Sequence, residues 1–244
     1  MREKILSAFF IIVTVFVFSC NRTGENIQVL VISGGHAYDT AQFVDVFRSI
    51  ENIDFDTMSQ PAANAFIAAG GAGKYDVLVF YDMWQQVSPA EIEAYRKLWE
   101  EGKGMVFLHH SLVSYKDWDE FAEARGGRYR LPEDVTDTLK ASGYWHDITL
   151  NVRVLDPEHP VTAGLADFTA VDEGYSNIEI KPSVHYLLET DHPDCSRYMG
   201  WANIYKSSRI VYLMQGHDAV AYENGSFKKL VSNAITWVAG ENDL

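Results

Sequence analysis

Met105-Val106-Phe107-Leu108-His109-His110-Ser111 is the stretch on which the fold turns. Four apolar residues without polar alternation describe a strand covered on both faces. Two imidazoles and a hydroxyl follow at once. Immediately upstream, VSPAEIEAYRKLWEEGKG (87–104) carries the clearest helix of the chain. Ser88 stands at its N-cap, Pro89 in the first turn and Glu91 at the capping-box position, and Gly102 ends it. Residues 77–81, VLVFY, form another strand that is apolar throughout. Residues 27–32 are rich in β-branched side chains, and 53–58 alternate. Residues 40–50 place Ala41, Val44, Phe47 and Ile50 on one helix face, and 64–69 read as a short alanine-rich helix. Strand and helix thus alternate, with strands apolar all round. That pattern belongs to a mainly parallel central sheet with helices on both faces, joined by right-handed crossovers. The fold class is α/β, a three-layer flavodoxin-like sandwich.

The second half is less regular. WDEFAEARGG (118–127) is a short helix with a glycine stop. Strands are expected at 148–154, 168–171, 185–188, 198–201 and 209–214, and a closing helix at 227–238.

At the other end of the chain, Arg2 and Lys4 precede an almost wholly apolar run, 5–18, and then Ser19-Cys20. The run falls below the roughly 18 residues that cross a bilayer and reads as an export signal. A cysteine at its end is similar to a bacterial lipoprotein signal cut before Cys20, although Phe18 is bulkier than the usual residue there. The expected organisation is a signal at 1–19, a polar tether at 20–26 with Cys20 lipidated, and one domain at 27–240. The expected placement is export, with the lipid in a bacterial membrane and the domain facing the periplasm. Lipidation of Cys20 leaves Cys195 as the one other cysteine, so no internal disulfide is expected. The net charge of −14, from 34 acidic and 20 basic residues, argues against a nucleic-acid partner.

In open α/β sheets, ligands bind beyond the carboxyl ends of the strands. At those ends this sequence places His36, Tyr38 and Asp39, then Asp82, then His109-His110, then His217-Asp218. Four strands delivering titratable groups to one edge point to a shared cleft. His109 and His110 point to opposite faces if the strand stays extended, and reach one cleft only if the chain turns after Leu108. His109, His217, Glu173 and Asp82 are the candidate catalytic groups. His36, His110, Tyr38, Tyr175, Trp84 and Trp201 are candidates for holding substrate, the aromatic rings suiting the faces of a sugar. Three histidines, His36, His109 and His217, with a carboxylate would suit a divalent ion such as zinc. Metal-free acid–base chemistry by a histidine is the rival reading. Glu173, in VDEGYS (171–176), is either a site carboxylate or part of an exposed acidic turn. His146 either lines the cleft or pairs with Asp147. Cys195 lies in a polar loop without a glycine elbow and reads as inert.

GGHAYD (34–39), YDVLVFYD (75–82), GKGMVFLHHS (102–111), ARGGRY (124–129), DPEHPVTAGL (156–165), VDEGYS (171–176), QGHD (215–218) and ITWVAG (235–240) occur in this order. Together they resemble the ThuA-like (trehalose utilisation) proteins across nearly all of residues 27–240. The resemblance implies a class I glutamine amidotransferase-like fold and a role with sugars, especially disaccharides and their keto forms. Two departures stand out. Ser207-Ser208 occupy a turn where relatives carry glycine. His109 stands where an amidotransferase would carry its cysteine, so glutamine hydrolysis is not expected. The function expected is an enzyme acting on a sugar or keto-sugar glycoside by elimination, hydrolysis or isomerisation. The alternative is a non-catalytic saccharide-binding lipoprotein module. Oligomeric state is left open.

Overall fold

The computed structural model describes residues 25–240 apart from Trp84; Trp84 and Cys20, with its leader, lie outside the described residues. The strands in chain order are β1 (Ile27–Gly34), β2 (Ile53–Ser59), β3 (Val77–Asp82), β4 (Gly104–Leu108), β5 (Gly127–Arg128), β6 (Gly143–Val154), β7 (Phe168–Ser176), β8 (Glu179–Ile180), β9 (His185–Thr190), β10 (Tyr198–Tyr205) and β11 (Ser208–Leu213). The helices are α1 (Thr40–Arg48), α2 (Ala62–Ala68), α3 (Pro89–Glu100), α4 (Asp119–Arg125), α5 (Ala219–Glu223) and α6 (Gly225–Val238).

Nine strands form one sheet in the order β2-β1-β3-β4-β11-β10-β9-β6-β7, and β5 and β8 pair separately. The first five run parallel. The remaining pairings, β11–β10, β10–β9, β9–β6 and β6–β7, are antiparallel. The parallel part therefore has the flavodoxin-like order, and the sheet continues beyond it as an antiparallel extension.

Every residue of β3 and β4 is buried, as their continuous apolar character requires. Adjacent residues of β3 show how the layers divide. Tyr81 stacks on Phe43 of α1 and touches Tyr222 of α5, while Phe80 meets Tyr95 of α3 and Phe121 of α4. Since neighbouring strand residues face opposite sides, these helices cover opposite faces of the sheet. Helix α3 begins with the expected capping box. Glu91 N–H donates to Ser88 Oγ (3.4 Å) and Ser88 N–H to Glu91 Oε2 (2.6 Å).

The strands expected in the second half are longer than their apolar stretches. Residues 172–176, expected beyond a strand end, continue β7, and 143–147 belong to β6. The β10–β11 hairpin turns without glycine. Lys206 takes the left-handed φ of 52°, and Ser208 is buried.

Strand β6 joins β9 only at Val152, Arg153 and Val154. The rest of the β6–β7 ribbon projects past the sheet and returns to the end of β11. There the Asp172 carboxylate accepts the backbone N–H groups of Gly216 (2.8 Å) and His217 (3.0 Å), and also that of Glu173 (2.8 Å). The last strand in sheet order is thereby tied to the centre of the sheet.

Candidate active site

After Leu108 the chain does turn. His109 takes φ 47° and opens a short 3-10 turn, His109–Val113. A left-handed backbone is uncommon for a residue with a Cβ and persists where surrounding contacts impose it. Here they include Tyr212, whose hydroxyl donates to the His109 carbonyl (3.1 Å). With this turn both His109 and His110 line one cleft of about 270 Å³, together with His36, His146, Glu173 and His217 among others.

His109 is fully buried, and its Nδ1 lies 2.7 Å from the Met214 carbonyl oxygen. A carbonyl only accepts, so Nδ1 carries a proton and donates to it. Three polar atoms surround Nε2: Tyr175 Oη at 3.0 Å, His217 Nδ1 at 3.1 Å and Glu173 Oε1 at 3.3 Å. The other oxygen of Glu173 lies 2.7 Å from His146 Nδ1, as an ion pair.

The local chain explains these positions. Glu173 and Tyr175 alternate onto the same face of β7. In the partner strand, Trp145 pairs with Gly174 and Ile148 with Asp172, so His146 and Asp147 together oppose Glu173. This is a β-bulge, with Asp147 at φ 54°, and it aims His146 at the carboxylate. Of the two readings of His146, pairing with Asp147 gives way to lining the cleft. Glu173 is buried in a strand rather than exposed on a turn.

Electrostatics follow from burial and these neighbours. Burial pulls the Glu173 carboxyl upward, but His109, His217 and His146 outweigh it and leave it below its ordinary value. His217 is pushed down by burial and by His109. His110 is driven well below the usual imidazole range by burial and its histidine neighbours, and is neutral. Its Nε2–H donates to the Tyr81 carbonyl (3.2 Å), so its buried Nδ1 is an acceptor with no partner among the described residues.

Several expected residues lie elsewhere. Asp82 is buried away from the cleft lining, where its side chain accepts from Ser114 Oγ (2.8 Å) and Gln60 Nε2 (2.9 Å). Those donors, with Tyr115 Oη at 3.5 Å, hold the carboxylate in a buried polar group of its own. Trp201 is wholly buried, donating to the Arg125 carbonyl (2.8 Å) and packing on Tyr212, so it belongs to the core. Tyr38 packs edge-on against Phe43 and Tyr81 and donates to Ser33 Oγ (3.0 Å). His36 reaches the cleft on an exposed loop, its ring 4.9 Å from that of His110. Among the described residues the compact group able to hold an ion is His109, Glu173 and His217, with Glu173 where His36 was expected. Cys195 is half-buried and its thiol is raised to about 11 by burial, as suits an inert group. Tyr144 and Tyr129, absent from the expected set, also line the cleft. Tyr144 is 58% exposed, at the rim.

A layer sandwich of this order with a histidine-lined cleft at the parallel strand ends defines a class, and comparisons narrow it. The family model described as ThuA, trehalose utilisation, matches residues 28–238. The chain belongs to the ThuA family, whose description points to a role in carbohydrate utilisation. A ThuA-like protein from Parabacteroides merdae superposes with a TM-score of 0.72 at 17% identity, over 88% of this chain and 91% of that one. A ThuA-like protein from Bacteroides uniformis gives 0.69 at 21% identity, over 91% and 95%. A cold-adapted β-galactosidase from Rahnella sp. R3 gives 0.58 at 12% identity, over 87% of this chain but 32% of that enzyme, a likeness of fold. No curated protein matches the chain.

Proposed function

We propose that the protein is an enzyme that acts on a sugar or keto-sugar glycoside in the His109–Glu173–His217 cleft. The observation that carries this reading is the commitment of one nitrogen on each of two rings. His109 Nδ1–H donates to the Met214 carbonyl, and His146 Nδ1 is paired with Glu173 Oε2 at 2.7 Å, which leaves each ring's other nitrogen as a base or ligand. Tyr129, Tyr144 and Leu131 supply apolar walls suited to sugar faces.

On a keto-sugar glycoside the reaction is elimination. His146 Nε2 takes the proton from the carbon next to the carbonyl. The C–H pair becomes the enolate, held by the buried polar group around His109. Collapse of the enolate forms the double bond, breaks the glycosidic C–O bond and returns a proton to the departing alkoxide. Glu173 keeps the His146 ring in position through this transfer.

The test is consumption of a panel of disaccharides and their keto forms. His146→Gln and His109→Gly are expected to lower kcat by roughly 10²–10⁴-fold, and glycine suits the left-handed backbone at 109. Sugar binding by wild type with no turnover of any member would replace this reading with a saccharide-binding module.

Export and anchoring through Cys20 belong to the same proposal, supported by the apolar run before it. Cys20→Ala is expected to move the chain out of the membrane fraction; unchanged fractionation would sink this part alone.

A further inference from the structure

We propose that His109 Nε2, His217 Nδ1 and Glu173 Oε1 bind one divalent first-row transition metal ion of the zinc type, with its open positions facing the cleft. The inference rests on the cleft being the reactive site proposed above, and adds the ion and the part of the substrate that meets it.

The three atoms are 3.1, 3.3 and 3.8 Å apart. Ligands at zinc distances stand about 3.3 Å apart along a tetrahedral edge, given metal–nitrogen and metal–oxygen bonds of about 2.0–2.2 Å. The triangle therefore already has the size of one face of such a site. Its chemistry also fits. Two imidazoles and one carboxylate, with further positions open, form a donor set used by catalytic zinc.

The outer contacts have the form that a metal site requires. A ligating histidine gives its other N–H to a carbonyl or carboxylate, which fixes the ligating nitrogen. His109 does this through Met214. Glu173 has its second oxygen held by His146. Charge balance points the same way. The Glu173 carboxylate is 6% exposed, and its ion-pair partners among the described residues are histidines alone, with no lysine or arginine. Its Oε1 also lies 3.3 Å from Nε2 of His109.

Three protein ligands leave at least one position for substrate. Adjacent carbonyl and hydroxyl oxygens of an α-hydroxyketone, as in a keto-sugar, would bind there and have their enolate stabilised by the ion. The substrate class is therefore a sugar oxidised at one ring carbon, bound through that carbon's oxygen and its neighbour.

The experiment uses the full chain, stripped with EDTA and titrated without sugar. Calorimetry with ZnCl₂ gives stoichiometry, and CoCl₂ gives d–d absorption bands that report coordination. One equivalent is expected. His217→Gln and Glu173→Gln are each expected to weaken binding by roughly 100-fold or more and to remove the cobalt bands. His185→Ala tests the surface group of His159, His185 and Asp156, where His185 Nε2 lies 2.7 Å from Asp156 Oδ2, and is expected to change nothing. His217 is partly exposed, so its variant tests the site without emptying the core. No binding, binding untouched by both site variants, or binding lost in His185→Ala would each overturn the metal. Turnover is measured separately. Sugar turnover that persists without bound metal leaves the enzyme reading standing and removes the ion.

Discussion

The parallel and antiparallel halves of the sheet build the same cleft by different means. In the parallel half, β1, β4 and β11 run in one direction and deliver His36, His109, His110 and His217 to one edge, the turn at His109 bringing both its ring and that of His110 into the cleft. In the antiparallel half, Glu173, Tyr175 and His146 arrive by register. There a bulge and a ribbon that leaves the sheet after three paired residues carry an edge strand back to its centre. Strand direction thus supplies four of the imidazoles, and pairing details supply His146 and the carboxylate that joins them.

Asp172 fastens the two halves, and its removal should have the largest effect on stability. Asp172→Ala leaves the N–H groups of Gly216, His217 and Glu173 without their acceptor. A loss of about 3 kcal/mol is expected in urea unfolding, with sugar turnover falling alongside. Full turnover in a folded variant would show that the halves hold their positions without this clasp.

Asp82 belongs to the parallel half and separates that half's energetics from the site. Its carboxyl is pushed up to about 6 by burial, against hydrogen bonds from Gln60 and Ser114 and the charge of Arg125. An acid raised in the folded state contributes stability that is fully present below its unfolded value and lost as pH rises through about 6. Between pH 4 and 7 wild type should lose about 2 kcal/mol relative to Asp82→Asn. Urea unfolding of both proteins at the two pH values checks this, and parallel curves would refute it.

Gly174 tests packing within the antiparallel ribbon. A Cβ there would stand 2.3 Å from Cys195 Sγ and 2.8 Å from Ile148 Cδ1. Gly174→Ala should cost about 1–3 kcal/mol. Adding Cys195→Ala should recover part of that cost, because the nearer clash is gone. An equal melting temperature for the single and double variants would place the strain elsewhere.

Much of this was legible in the sequence, and the limits have physical causes. The strands of the parallel half show themselves as continuous apolar runs because both faces are covered, and the capping box of α3 is a local signal. The edge where ligands gather follows from strand direction, so His109, His110, His36 and His217 could be named early. Asp82 was named by the same rule, and Trp201 for its aromatic ring, yet both lie inside, since neither signal says how far the next layer overlaps a strand end. His146 was visible only as one of two readings, because a bulge of one residue leaves little mark on composition.

By itself the sequence determined the layer order, the family and the edge at which the histidines collect, because these depend on periodicity and short-range signals. Only the tertiary structure decided that His109 turns at φ 47° and that Met214 fixes its tautomer. It alone brought Glu173, from the far edge of the sheet, within 3.3 Å of His109. Those positions depend on contacts between residues 66 and 105 places apart along the chain, and pairing at such separations is set by the packing of the whole domain.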